Sequence, residues 1–334
     1  MISRRNIGLT GLAFLLSAGR LNAQAPRFFR IGTGSTGGTY FPIGSLIANA
    51  VSAPPGTPVC DNPGDCGVPG LVASAIATGG SVANVHAIEA GRLESGLVQA
   101  DVATFAHSGS GIWQGKPPAK LLRAIANLYP ETVHLVASRA SQITAIGDLI
   151  GKRVAWGEKD SGTLVDAGLI LSAAGIAPDQ IEASYLPLET AAIALQDGKV
   201  DALFFTGGPP VPAIAVLASR ADLDFIPISG ALRDRIVAEN PFFATDRIVA
   251  GSYRQQEMPV ETISVGAQWV TSADQPEELI HDITRALWSP IHRRMFDAGH
   301  RRGESIQPAN ALMGITIPLH DGAARYYREN HLIR

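Results

Sequence analysis

Short apolar or β-branched runs alternate along this chain with longer segments of helical periodicity, and that alternation restricts the fold to an α/β architecture with mostly parallel sheets. The strand-like runs are Phe28–Gly32, Gly96–Gln99, Leu122–Asn127, Val133–Ser138, Arg153–Trp156, Ala183–Leu186 and Ala202–Thr206. Helix-like stretches lie between them at Phe41–Val51, Val82–Ala90, Thr163–Ala174, Ala191–Asp197 and Pro212–Ser219. A long helix is expected from Pro276 to about Asp297, where Leu279, Ile283, Ala286 and Leu287 recur at helical spacing. Two extended segments without turn residues, Val133–Ser138 and Thr262–Thr271, read as crossings between lobes. The chain then leaves one lobe, builds a second and returns. Residues 26–133 plus 266–334 are expected to form the first lobe and 134–265 the second, with a ligand cleft between them.

The start of the chain reads as an export signal. Residues 1–25 join the basic pair Arg4 and Arg5 to an apolar run, Ile7 to Leu16, that is shorter than the roughly 20 residues a bilayer span needs. Ala23 and Ala25 offer a cleavage pattern, and Ser3-Arg4-Arg5 is compatible with either the general secretory or the twin-arginine route. The expected location is the periplasm. Loss of the leader leaves 24 basic against 30 acidic residues, a net of −6, and a mildly acidic chain without basic runs argues against a nucleic-acid partner. The only cysteines, Cys60 and Cys66, sit in the loop CDNPGDCGVPG, and an oxidising compartment makes a local disulfide the natural reading. Asp61 and Asp65 are turn residues there, and no metal site is expected.

The run GTGSTGGTY follows a strand and precedes a helix. Backbone N–H groups of Gly34, Ser35 and Thr36, with the hydroxyls of Ser35, Thr36 and Thr39, can therefore converge on one negative group at a helix N-terminus. Ser81, ahead of Val82, and Ser161-Gly162-Thr163, ahead of Leu164, repeat the arrangement. Ser and Thr at such positions also serve as plain N-caps. Tyr40 and Tyr129 are either pocket wall or packing, and Gln99 either donates its amide to a carboxylate or caps the next helix. Gly207 and Gly208 end a strand where the backbone faces a ligand or simply turns. His134 lies in an apolar strand and reads as a satisfied structural histidine, while Lys159 reads as part of a solvated charged cluster with Glu158 and Asp160. Gly32-Thr33-Gly34-Ser35-Thr36-Gly37 also satisfies the dinucleotide pattern G-x-G-x-x-G, but no Asp or Glu occurs between Gly38 and Cys60 to hold a ribose. No complete G-x-S-x-G nucleophile elbow occurs either. An enzyme is not expected, nor a cofactor.

Several blocks together carry a family resemblance: Ile31 to Gly44, Thr78 to Val85, Leu97 to Val102, Leu128-Tyr129-Pro130-Glu131, Asp160-Ser161-Gly162-Thr163, Val200 to Pro210, and Ile317-Pro318-Leu319-His320 with Ala324-Arg325-Tyr326-Tyr327. In this order they resemble the TAXI-type solute receptors of TRAP (tripartite ATP-independent periplasmic) transporters. The resemblance implies a type II periplasmic binding-protein fold and a fused membrane permease as partner. It also implies a small carboxylate or amino-acid ligand such as glutamate or 2-oxoglutarate; a monomer is expected. A receptor that presents its ligand to a membrane sensor kinase is the alternative role for the same fold.

Overall fold

The computed structural model describes residues 25–58 and 60–334, so the expected export signal lies outside the described residues apart from Ala25. The first part of the chain runs through β1 (Arg27–Gly32), α1 (Tyr40–Val51), β2 (Ser52–Ala53), β3 (Val68–Pro69), β4 (Leu71–Ile76), α2 (Ser81–Glu89), β5 (Ser95–Gln99) and α3 (Ala100–Ser108). The long strand β6 (Leu122–Ser138) leads into β7 (Arg153–Ala155), α4 (Gly162–Ala173), β8 (Glu182–Ser184), α5 (Leu188–Gln196), β9 (Ala202–Gly207) and α6 (Pro212–Ala218). There follow β10 (Leu223–Phe225), α7 (Gly230–Glu239), β11 (Phe243–Ile248), a second long strand β12 (Val260–Ser272), α8 (Glu277–Leu287), α9 (Arg293–Gly299) and α10 (Asp321–Glu329).

One mixed sheet of ten strands runs in the order β4-β1-β5-β12-β6-β9-β7-β8, with β10 on β6 and β11 on β12, and β2 and β3 pair in a separate two-stranded sheet. β4, β1 and β5 are parallel, as are β8, β7 and β9, so each end of the sheet is a βαβ unit. Between them β6 and β12 run antiparallel through both halves. β6 pairs with β12 from Leu122 to Thr132 and with β9 from Thr132 to Ala137, so its partner changes at Thr132. β12 pairs with β11 from Val260 to Val265 and with β5 from Ala267 to Thr271, so it changes at Gly266. Each half has its own apolar core. One is built on Phe29, Ile43, Trp269 and Tyr327, and the other on Leu135, Ile170, Phe204 and Ile263. Two α/β lobes therefore share two connecting strands.

The structure corrects several expected boundaries. The runs Leu122–Asn127 and Val133–Ser138 are one 17-residue strand, continuous through Pro130. The single long helix after Pro276 is broken: α8 stops at Leu287, Ser289 is extended, and α9 begins after the short turn Pro290–His292. Pro290 has no N–H to continue the ladder and disfavours helical geometry in the residue before it, which accounts for the break. The strands β2, β3, β4, β10 and β11 and the helices α3, α7 and α10 add to the expected set.

Cys60 and Cys66 form a disulfide with Cα atoms 5.7 Å apart. The loop they close rests on the C-terminal end of α8, and just beyond that end the Ser289 hydroxyl donates to the Asp65 carboxylate. Reduction should cost about 2 kcal/mol, the loop-closure value for so short a ring. A lower urea midpoint in dithiothreitol, with unchanged far-ultraviolet circular dichroism, is the expected result.

Candidate functional site

Three helices present their N-termini to one cleft between the lobes. α1 follows the glycine-rich turn after β1, α2 starts at Ser81 behind Gly80, and α4 starts behind the N-cap Ser161. Gly80 has φ 109°, a left-handed conformation that glycine adopts without strain, and a Cβ built there would touch Ser161 from the other lobe. The cleft encloses a cavity of about 60 Å³. Of the expected residues, Gly34, Ser35, Thr39, Tyr40, Ser81, Gln99, Ser161, Gly162, Thr163 and Gly207 line it. Thr36 and Gly208 do not.

Thr36 instead donates to Glu189 at 3.1 Å, and the Gly37 amide donates to the same carboxylate, so this part of the glycine-rich turn is held by the opposite lobe. Gly208 contributes its carbonyl oxygen, which accepts from Thr39 Oγ1 at 3.0 Å, while its α-carbon faces the stem of Arg302. Ala213 N to Gly37 O and Ala83 N to Asp160 O, both 3.0 Å, complete the contacts across the cleft. These bonds describe closed lobes.

The hydroxyls at the cavity have defined partners. Ser161 Oγ accepts from Leu164 N at 3.1 Å, an N-cap that leaves its O–H free to donate. Thr163 Oγ1 accepts from Thr206 N, and Ser81 Oγ accepts from Gln99 N, each at 3.1 Å. Tyr40 donates to Glu131 Oε1 at 2.5 Å. Tyr129 is buried but does not reach the cavity. Lys159 is also outside it, near the Tyr185 ring. His134 is saturated: Nδ1 meets the Thr132 carbonyl and Nε2 meets Tyr253 Oη, both at 2.9 Å, and burial pushes its pKa down to about 4.

Sequence reasoning passed over the acidic part of the wall. Glu131 is 1% exposed, and burial, opposed by the Tyr40 hydrogen bond and reinforced by Asp101, drives its pKa well above the ordinary carboxylate value. A protonated Glu131 is a donor facing the cavity. Glu158 is raised as well, first by burial and then by Glu189 and Asp160. No Lys, Arg or His is among the described residues lining the cavity. The available signal was the isolated charge of Glu131 in an otherwise apolar stretch.

The profile of the NMT1-like family matches residues 31–330. The chain belongs to the NMT1-like family. Its fold is similar to that of several solved structures. PhnD1 from Prochlorococcus marinus, in complex with methylphosphonate, is 11% identical with a TM-score of 0.53, covering 92% of this chain and 100% of that one. A protein of Bordetella bronchiseptica RB50 is 12% identical with a TM-score of 0.52, covering 90% and 82%. The periplasmic aliphatic sulphonate binding protein SsuA from Escherichia coli is 14% identical with a TM-score of 0.45, covering 91% and 84%. At these identities the likeness concerns the fold, a mixed α/β sheet in two lobes. Within the NMT1-like chain described here, the family profile extends over the three helix N-termini and both connecting strands.

Proposed function

We propose that this protein is an extracytoplasmic solute receptor, of the TAXI type, that captures a small organic acid in the cleft and delivers it to a TRAP membrane permease. The observation that carries this reading is the convergence of three helix N-termini, with the Ser35, Thr39, Ser81 and Ser161 hydroxyls, on one enclosed cavity. Unpaired N–H groups and aligned peptide dipoles favour a carboxylate there without any arginine. Glu158 favours an acid that also carries an ammonium group, because it offers oxygen acceptors at the cavity, while the protonated Glu131 donates. Glutamate and similar amino acids therefore stand ahead of oxo acids such as 2-oxoglutarate. By the measure under which one water occupies about 10–15 Å³, the closed cavity takes a handful of heavy atoms, and a longer ligand requires the lobes to part slightly.

On this reading the lobe boundaries lie at Val133/His134 and Val265/Gly266, beside the points where β6 and β12 change partners. Closure bends these two strands and makes the Glu189, Gly208 and Asp160 contacts, so a ligand that touches both lobes stabilises the closed form. A thermal-shift screen of amino acids, mono- and dicarboxylates and oxo acids is the test, since a ligand bound only by the folded state raises its apparent stability. An amino acid should give the largest shift, and Ser161→Ala, which loses a donor at the cavity, should reduce it at a stability cost of about 1 kcal/mol. No shift with any acid in the screen would remove the proposal.

A further inference from the structure

Three side chains at the cavity wall form a chain of hydrogen bonds with a fixed direction. The Gln99 backbone N–H donates to Ser81 Oγ at 3.1 Å, Ser81 Oγ lies 3.5 Å from Tyr40 Oη, and Tyr40 Oη donates to Glu131 Oε1 at 2.5 Å. A hydroxyl has one hydrogen to give. Tyr40 gives its own to Glu131, so it accepts in the contact with Ser81, and the chain runs outward to the Glu131 carboxyl. Among the described residues Tyr40 is the one hydrogen-bond partner of that carboxyl. Oε2 is thereby left for the occupant of the cavity, which Glu131, Tyr40 and Ser81 all line.

The titratable groups around Glu131 are Tyr40 from α1, Tyr129 on β6 itself, Asp101 on α3 and Asp166 on α4, with Glu158 also lining the cavity. β12 sets Val265 opposite Glu131, and Arg302 acts on Tyr129 without acting on Glu131. Nothing in this set neutralises a carboxylate. An ionised Glu131 would therefore meet the carboxylate of the solute with peptide dipoles alone to separate the two charges, and two carboxylates at one site hold a proton between them. We propose that Glu131 binds the solute as a neutral carboxyl, donating Oε2–H to the solute carboxylate, so that solute and one proton are held together in the closed cleft. The inference rests on the reading of the cleft as a receptor for an acid. In the open cleft Glu131 exchanges its proton with water, and closure traps that proton between Oε2 and the solute oxygen. Affinity then falls as pH rises through the point where Glu131 ionises in the unliganded protein, by up to about tenfold per pH unit.

The test is titration calorimetry on the mature protein with whichever of L-glutamate, L-alanine, 2-oxoglutarate and succinate binds most tightly, at about pH 6 and about pH 9. Glu131→Gln keeps a donor but cannot ionise. A neutral amide is a weaker donor to a carboxylate than a carboxyl O–H, so the variant should bind about fivefold more weakly than wild type at the lower pH. At the higher pH it should bind at least as tightly as wild type. The ratio of the two dissociation constants is the readout, because titration of the solute or of Glu158 moves both proteins alike. A constant ratio, or one that moves the other way, overturns the proposal, since Glu131 is then inert or an ionised acceptor. If none of the four acids binds, the receptor reading falls and the proposal with it, whereas binding with a constant ratio removes the proposal alone. If Glu131→Gln does not fold, Tyr40→Phe decides. The Tyr40 hydrogen bond favours the ionised form of Glu131, so its loss should move the alkaline fall in affinity to higher pH, and an unmoved profile overturns the proposal.

Discussion

Gly162→Ala should abolish solute binding while leaving most of the fold in place. Gly162 is the first residue of α4, and a Cβ built on it falls 1.7 Å from Gln99 Oε1, 2.4 Å from Gln99 Cδ and 2.9 Å from Ser81 Oγ. Backbone is not the obstacle, so the Gln99 side chain moves first. Gln99 is 2% exposed, and the open space beside it is the ligand cavity. The displaced amide therefore occupies the solute's place and masks the N-terminus of α4. Overpacking of this kind costs about 1–3 kcal/mol of stability. The affinity for the solute found in the thermal-shift screen should fall at least about 100-fold, equivalent to about 2.7 kcal/mol. Titration calorimetry reads the first number and urea denaturation the second. An affinity within about threefold of wild type would show that solute does not contact this corner of the cleft.

The protein should become more stable as pH falls from about 8 to about 6.5. Burial raises the pKa of Asp101 to about 7, and raises Asp166 and Glu131 well above the carboxylate range. A raised carboxyl contributes its full stability below the unfolded-state value and loses it as pH rises through the folded one, so acidification within this window is favourable. A group that stays protonated in the fold across the window contributes about 1.4 kcal/mol per pH unit. His134 works the other way. Its pKa of about 4 lies below the unfolded value, so its contribution is present at neutral pH and is lost as pH falls toward 4. Below about pH 6.5 His134 offsets one of the three carboxyls, so stability should rise less steeply there. Asp166→Asn should flatten the alkaline limb and raise stability at about pH 8, because it removes a carboxyl that resists ionisation. Urea denaturation at both pH values for both proteins supplies the comparison, and equal slopes would count against the buried carboxyl cluster as the cause.

The α/β class was visible in the alternation of runs, and most of the cavity in the glycine- and hydroxyl-rich helix starts. What the sequence concealed has identifiable causes. Pro130 punctuates β6 like a loop residue, yet it lies in register opposite Gly266 within the sheet. β4, LVASAI, is short and does not alternate apolar with polar residues, because most of its side chains are half-buried, with α1 packed against it. Glu131, Asp101 and Asp166 each look ordinary alone: Asp101 resembles a favourable acid in a first turn, and Asp166 a solvated mid-helix charge. Only the packing of α3 and α4 on the central strands turns them into a buried group. Thr36, conversely, has the right chemistry for a ligand contact, but Glu189 from a distant helix claims its hydroxyl.

The placement of β12 between β5 and β6 fixes the order in which the molecule can be assembled. β5 emerges early in synthesis, but its outer edge stays open until Ala267 to Thr271 arrive to pair with Gln99 to Ser95. The units around β7, β8 and β9 need no such wait, since their partners lie close in the chain. The strands made first are thus finished late. A nascent or truncated chain ending before β12 exposes the β5 edge to foreign strands, a hazard that only the arrival of the C-terminal third removes.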